Sequence, residues 1–285
     1  MEWRGRRGSR NIEDRRGQRG VGRGGVVTGG FGLLVVLLIG AFLRVDVTPL
    51  LQDQGTAPQG QGAAAPLTAE ERAAGEFVSV TLADTEEVWA EVFRAQLGRD
   101  YRPAVMVLFS GATQSPCGGA DGASGPFYCP ADRKAYLDTA FFATLERRLG
   151  AKGDFAAAYV VAHEIAHHVQ NELGVLAQVN QLRRQVGQAE SNALSVRVEL
   201  QADCLAGLWA RQAQARFASV EAGDIEEAVN AARRIGDDTL QAAAGRRPMP
   251  HTFTHGTSEQ RSRWFVTGYR SGRLDACDTF ATDRL

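Results

Sequence analysis

At 285 residues, 44% hydrophobic and 23% charged, the chain has the composition of an ordinary globular protein of one or two domains, which excludes a wholly disordered one. Its net charge of −1 excludes a uniformly basic or acidic protein. The balance is uneven, however: residues 1–29 carry eight arginines against Glu2, Glu13 and Asp14.

In chain order, residues 1–25 are rich in Gly and Arg and poor in apolar side chains, the composition of a disordered tail. Val26–Leu43 is a run of 18 residues without a charge, ended by Arg44, at the short end of what spans a bilayer as a helix. The arginine excess before it predicts a cytoplasmic N-terminus and a following domain that is periplasmic or extracellular, in a bacterial cell membrane. A cleaved signal peptide is the competing reading, but the basic head is long for one and no small-x-small site follows. A nucleic-acid-binding arm would also explain the arginines; the anchor explains them better, and nucleic acid is not expected as a partner. Residues 44–73 hold Gln, Gly, Ala, Pro and Thr without apolar periodicity, a flexible spacer.

The domain of residues 74–285 opens on an apolar lead-in, Glu76–Leu82. Asp84 then reads as an N-cap, with Glu87 three residues on, for a helix over Thr85–Leu97. Ala104–Phe109 is a β-type run. A loop rich in Gly, Ser and Pro follows, with Cys117 and Cys129. Ala135–Asp138 reads as a strand ahead of the central helix. Such a strand either forms the upper edge of a cleft, where an extended peptide can pair with it, or lies inside a small sheet; the pattern fits both. A short helix begins at Phe141.

Asp154–Asn171 is predicted to be a buried helix, with Phe155 through Ala162 all apolar or small, and it carries His163-Glu164-x-x-His167. Residues four apart share a helix face, so the two imidazoles can hold one metal ion. Glu164, about 100° further round, can reach a water on that ion without binding it. Two His ligands with a Glu general base is the zincin arrangement. The bland reading is a buried helix with incidental histidines, which the scarcity of histidine, five in the chain, disfavours. His168 lies off the ligand face and reads as structural.

A second long helix, over Ala189–Phe217, carries Glu199 and Asp203 among Leu200, Leu205, Leu208 and Trp209. A catalytic zinc held by two histidines needs a third protein ligand, and Glu199 supplies it. Asp203 can then accept the free ring N–H of a ligand histidine. The alternative, a surface pair of acids, would repel at this spacing. Gln170 and Leu173 stand where a metzincin would have Gly and His. Asp224 reads as the cap of an amphipathic helix, and Thr257 with Gln260 as the capping box of a last one. His255, just before it, is placed either to donate a hydrogen bond to a developing oxyanion or to be a surface histidine. Four cysteines allow three pairings. The spacing favours Cys117–Cys129 across the loop, leaving Cys204–Cys277, and disulfides suit a domain outside the cytoplasm.

Gly125–Asp132, Tyr136-Leu137-Asp138, His163–Gln170, Glu199–Gly207 and His255–Arg261, in that order, resemble the bacterial neutral zinc metallopeptidases, a membrane-anchored family with an Arg/Gly-rich head. The resemblance implies a zinc peptidase with His163, His167 and Glu199 on Zn2+ and Glu164 as catalyst. A more distant likeness to membrane zincins adds weight to an assisting role for His255. The expected architecture is α+β: a mostly helical zincin-like metallopeptidase domain with a small β-sheet, preceded by one transmembrane helix at 26–43. The expected function is zinc-dependent hydrolysis of a peptide or protein substrate. The alternative is a catalytically silent, anchored binding module that keeps zinc for structure. No feature of the sequence sets an oligomeric state.

Overall fold

The computed structural model describes residues 1–17, 66–121 and 125–285. The expected membrane-spanning run 26–43, the tail residues 18–25 and the spacer residues 44–65 lie outside the described residues. Among those described, no helix is long and apolar enough to cross a membrane.

Helix α1 (Ala69–Val92) starts inside the expected spacer, because Thr68 and Glu71 form a reciprocal capping box. It runs on through Asp84 and ends in a five-residue π-turn, Phe93–Leu97. Asp84 is therefore not an N-cap. Its carboxylate, buried in mid-helix, accepts both arms of the Arg6 guanidinium at 2.7 Å. That counter-charge comes from far away in sequence, where no local pattern reveals it.

The head of the chain departs most from expectation. Residues 1–17 are packed into the domain rather than disordered. Trp3 is buried edge-on against Phe77, with ring centroids 5.5 Å apart. Strand β1 (Ile12–Asp14) pairs in parallel with β2 (Val105–Phe109). The low apolar content that predicts disorder is offset by specific ion pairs and by main-chain pairing with β2.

The sheet has the order β1-β2-β6-β5. Strand β6 (Lys134–Asp138) runs parallel to β2, and β5 (Phe127–Cys129) runs antiparallel to β6. Strand β6 is thus internal over Lys134–Tyr136, which pairs on both sides, while Leu137 and Asp138 pair with β2 alone; the internal-strand reading holds for its first half. The outer strand on that side is β5. A separate hairpin is formed by β3 (Ala112–Ser115) and β4 (Gly118–Asp121). Alternation sorts the side chains: Met106, Leu108, Ala135 and Leu137 face the main core, while Val107, Phe109 and Tyr136 face a smaller cluster with Cys129.

The remaining chain is helical: α2 (Phe141–Arg147), α3 (Asp154–Glu172), α4 (Val175–Arg183), α5 (Gln188–Phe217), α6 (Asp224–Arg234), α7 (Asp237–Ala243) and α8 (Ser258–Ser271). Helix α3 is buried along nearly its whole length. Its alanines leave room for α5 and α6 to approach, and Phe155 stacks on Trp209 of α5 at 5.9 Å. Helices α5 and α8 cross with their backbones in contact. A methyl group at Gly207 would overlap the carbonyl oxygen of Phe265, and one at Gly268 would overlap that of Cys204. The Thr257–Gln260 capping box opens α8 as predicted. Asp224, in contrast, is the first residue of α6 rather than its cap; the cap is Gly223. Disulfides join Cys117 to Cys129 and Cys204 to Cys277, the pairing the spacing favours.

Candidate metal centre

Helix α3 presents His163 and His167 one turn apart on the face turned towards α5, and α5 presents Glu199. Glu199 Oε2 lies 3.2 Å from His163 Nε2, and its Oε1 lies 3.5 Å from His167 Nε2. The two imidazoles stand nearly perpendicular, 87° between planes, with centroids 4.8 Å apart. These three residues can hold a metal ion, since a ligand atom from each lies within 4.8 Å of the others.

Hydrogen bonds on the far side of each ring set which nitrogen faces inward. His163 donates from Nδ1 to Asp203 Oδ1 at 2.9 Å. His167 donates from Nδ1 to Gln170 Oε1 at 2.8 Å. Both Nε2 atoms are then lone-pair acceptors aimed at a carboxylate. Three acceptors converging without a donor between them call for a cation. The separations fit zinc: bonds of about 2.0–2.2 Å to N and O in a tetrahedral site put neighbouring ligand atoms roughly 3.4 Å apart. In the metal-free protein a proton takes the cation's place. Burial opposes charge on His163, but Asp203 and Glu199 outweigh it and push its pKa up to about 10. Burial likewise opposes ionisation of Glu199, yet His167, His163 and His255 hold its carboxyl well below the usual range.

Asp203 is fully buried and fully satisfied. Arg261 of α8 forks onto it, Nε to Oδ2 at 2.9 Å and Nη2 to Oδ1 at 3.0 Å, and the Tyr159 hydroxyl donates at 2.5 Å. Burial alone would raise this carboxyl; Arg261, with His163, overcomes it and keeps the pKa low. Gln170 is anchored in turn by its amide, which donates to Val198 O at 2.7 Å and Gln201 Oε1 at 3.0 Å. Gln170, Tyr159 and Arg261 were not picked out from the sequence as parts of the site. Gln170 offered a signal: a polar residue three places after His167 on a buried helix. Arg261 stood in the sequence only as the end of the His255–Arg261 segment, with nothing to tie it to Asp203, 58 residues away.

Glu164 is buried on α3 beside the ligand face, and burial pushes its carboxyl up against the pull of His167 and His163. His255 lies in the turn before α8. Its Nδ1 is 3.2 Å from Asp237 Oδ1, and the same aspartate accepts from its main-chain N–H. Its side chain is half exposed; desolvation disfavours its charge, but the Asp237 carboxylate, with Glu199 adding to it, raises its pKa above the ordinary histidine value. His168 is structural: Nε2 donates to Arg102 O at 2.7 Å, and Nδ1 accepts from the Tyr128 hydroxyl at 3.0 Å. That second bond holds β5 against α3. In a second acidic group, Asp154, Asp224 and Glu227, the first two receive the amino group of Met1 at 2.9 Å and 3.2 Å, together with Glu221 at 2.6 Å.

The profile of the family described as "Putative neutral zinc metallopeptidase" matches residues 1–280. The chain belongs to that family. As a member of this metallopeptidase family it has an implied zinc cofactor and a peptide or protein substrate. It is similar to "Uncharacterized protein YpfJ" of Escherichia coli K12, 43% identical over 292 residues, covering 98% of this chain and 99% of the relative. It is also similar to "Uncharacterized protein Rv2575" of Mycobacterium tuberculosis H37Rv, 41% identical over 222 residues, 74% of each chain. No solved structure matches it.

Proposed function

We propose that the protein is a zinc-dependent endopeptidase whose ligands are His163, His167 and Glu199. The observation that carries this reading is the convergence of two imidazole Nε2 atoms on one carboxylate, with a separate buried glutamate, Glu164, left beside them. Zinc, when bound, polarises the scissile carbonyl and makes water acidic enough to lose a proton near neutral pH. Glu164 takes that proton as the water adds to the carbonyl, then delivers it to the leaving amine. Burial favours both halves of this cycle, because it lifts the pKa of the carboxyl towards the working pH. His255, oriented by Asp237, which also raises its pKa, donates to the oxyanion. Asp203 and Gln170 fix the ring orientations. Strand β5 receives an extended substrate along its outer edge.

Residues 26–43 seat the protein on a bilayer, and the two disulfides favour an oxidising compartment outside the cytoplasm for the catalytic domain. The deciding experiment is metal analysis and peptide-library cleavage with the full chain and with Glu164→Gln. The variant should retain stoichiometric zinc and lose hydrolysis. Cleavage by the variant at the wild-type rate would remove Glu164 from the mechanism. Zinc without cleavage in both proteins would leave a metal-containing binding module.

A further inference from the structure

The apolar run 26–43 and its arginine-rich flank predict a single crossing with the head and the peptidase domain on opposite faces of the membrane. The contacts of the head contradict that separation. We infer that residues 1–17 lie on the same side of the membrane as the metallopeptidase domain. This rests on the anchoring role proposed above and revises its topology.

The contacts are those of a built element rather than a tail resting on a surface. β1 is in register with β2, Ile12 opposite Met106 and Asp14 opposite Leu108. Main-chain bonds flank the strand on both sides, Met106 N–H to Asn11 O at 2.8 Å and Arg15 N–H to Leu108 O at 2.7 Å. Upstream, Ser9 N–H donates to Ser79 O at 2.9 Å. Arg6 neutralises Asp84, which would otherwise be a buried charge in the middle of α1. Removing one partner of such a pair leaves an uncompensated charge in the core, so the domain is complete only with its head in place. The same contacts weaken the orientation signal. Arg6, Arg7, Arg15 and Arg16 are ion-paired to Asp84, Glu87, Glu13 and Asp14 within the fold. Four of the eight arginines of residues 1–29 are thus engaged by carboxylates within the fold. Nor do residues 44–65 offer a second span: they carry Arg44, Asp46 and Asp53 among Gln, Gly and Pro.

Single cysteines test this in the full chain expressed in a bacterium. The native cysteines are all in disulfides, so only an introduced thiol reacts. Arg10→Cys reports the head and Arg247→Cys the domain, both at exposed positions. A membrane-impermeant maleimide applied to intact spheroplasts should label both or neither, and labelling of one with protection of the other would overturn the inference. Fractionation of the same cells judges anchoring separately: a chain found in the soluble fraction refutes the membrane seat, while the labelling still decides whether head and domain share a side. Gly8→Cys with Ser79→Cys distinguishes docking from mere co-location. A Cβ at residue 8 would stand 3.4 Å from that of residue 79, near the spacing a disulfide needs. An intrachain cross-link in the membrane fraction is expected. Two free, reactive thiols there, or a cross-link only between chains, would refute it.

Discussion

Gln170 offers the sharpest test of how the metal centre is built. Replacing it with Met keeps the length and bulk of the side chain and removes three hydrogen bonds: the acceptor for His167 Nδ1–H at 2.8 Å, and the donors to Val198 O and Gln201 Oε1. At about 1 kcal/mol net for each bond, the fold should lose about 3 kcal/mol. The cost at the metal is separate. With no partner on Nδ1, the His167 ring can turn and its tautomer is no longer fixed. Loss of such an outer partner weakens metal binding by about 10–100-fold, or about 1.4–2.7 kcal/mol. Chelator competition measures the zinc affinity, and denaturant unfolding of the metal-free protein measures the fold. Gln170→Glu separates the two effects. Its carboxylate still accepts from His167 but cannot donate to Val198 O or Gln201, so zinc affinity should stay close to wild type while stability falls. If Gln170→Met binds zinc as the wild type does, or if Gln170→Glu loses as much affinity as Gln170→Met, the orienting role of this residue is refuted.

Further outcomes follow from the same geometry. Arg261→Ala leaves Asp203 buried without its counter-charge and should cost about 3–5 kcal/mol in denaturant unfolding; a loss confined to zinc affinity would count against it. Cys277→Ser opens a loop whose ends are 73 residues apart, for which chain entropy predicts a loss of about 4 kcal/mol in oxidised protein. For pH, Glu164 must be ionised to accept a proton, and burial raises its pKa. Activity at saturating zinc should therefore be present above that raised pKa and fall as pH drops through it, above the ordinary glutamate range. An acid limb of kcat/KM at or below the ordinary value would contradict this.

The centre was legible in the sequence where its geometry is local. His163 and His167 share a face by helix periodicity, as do Glu199 and Asp203, and only the helix type had to be right for each pair to form. The α8 capping box was legible for the same reason. What joins these pairs was not. Arg261 meets Asp203, and Arg6 meets Asp84, only because the tertiary fold brings distant segments together. Composition misled at the head, where main-chain pairing with β2 and matched charges supply the order that apolar content usually supplies. Asp84 misled for a related reason: an acid beside a predicted helix start looks like a cap unless its partner is known. The internal position of β6 depends on which strands flank it, and a strand's own alternation does not record its neighbours.

The backbone contact of α5 and α8 at Gly207 and Gly268 bears on motion. With no side chain between the helices and a disulfide at Cys204 close by, there is no compliant layer to absorb sliding or rotation. Glu199, Asp203 and Arg261 therefore ride on one stiff body, and thermal fluctuations should leave their mutual distances nearly unchanged. Any widening that admits a substrate must then come from elements outside this pair, among them β5, the outer strand of the sheet. Amide hydrogen exchange should show this as slow exchange through α5 and α8 beside faster exchange in β5.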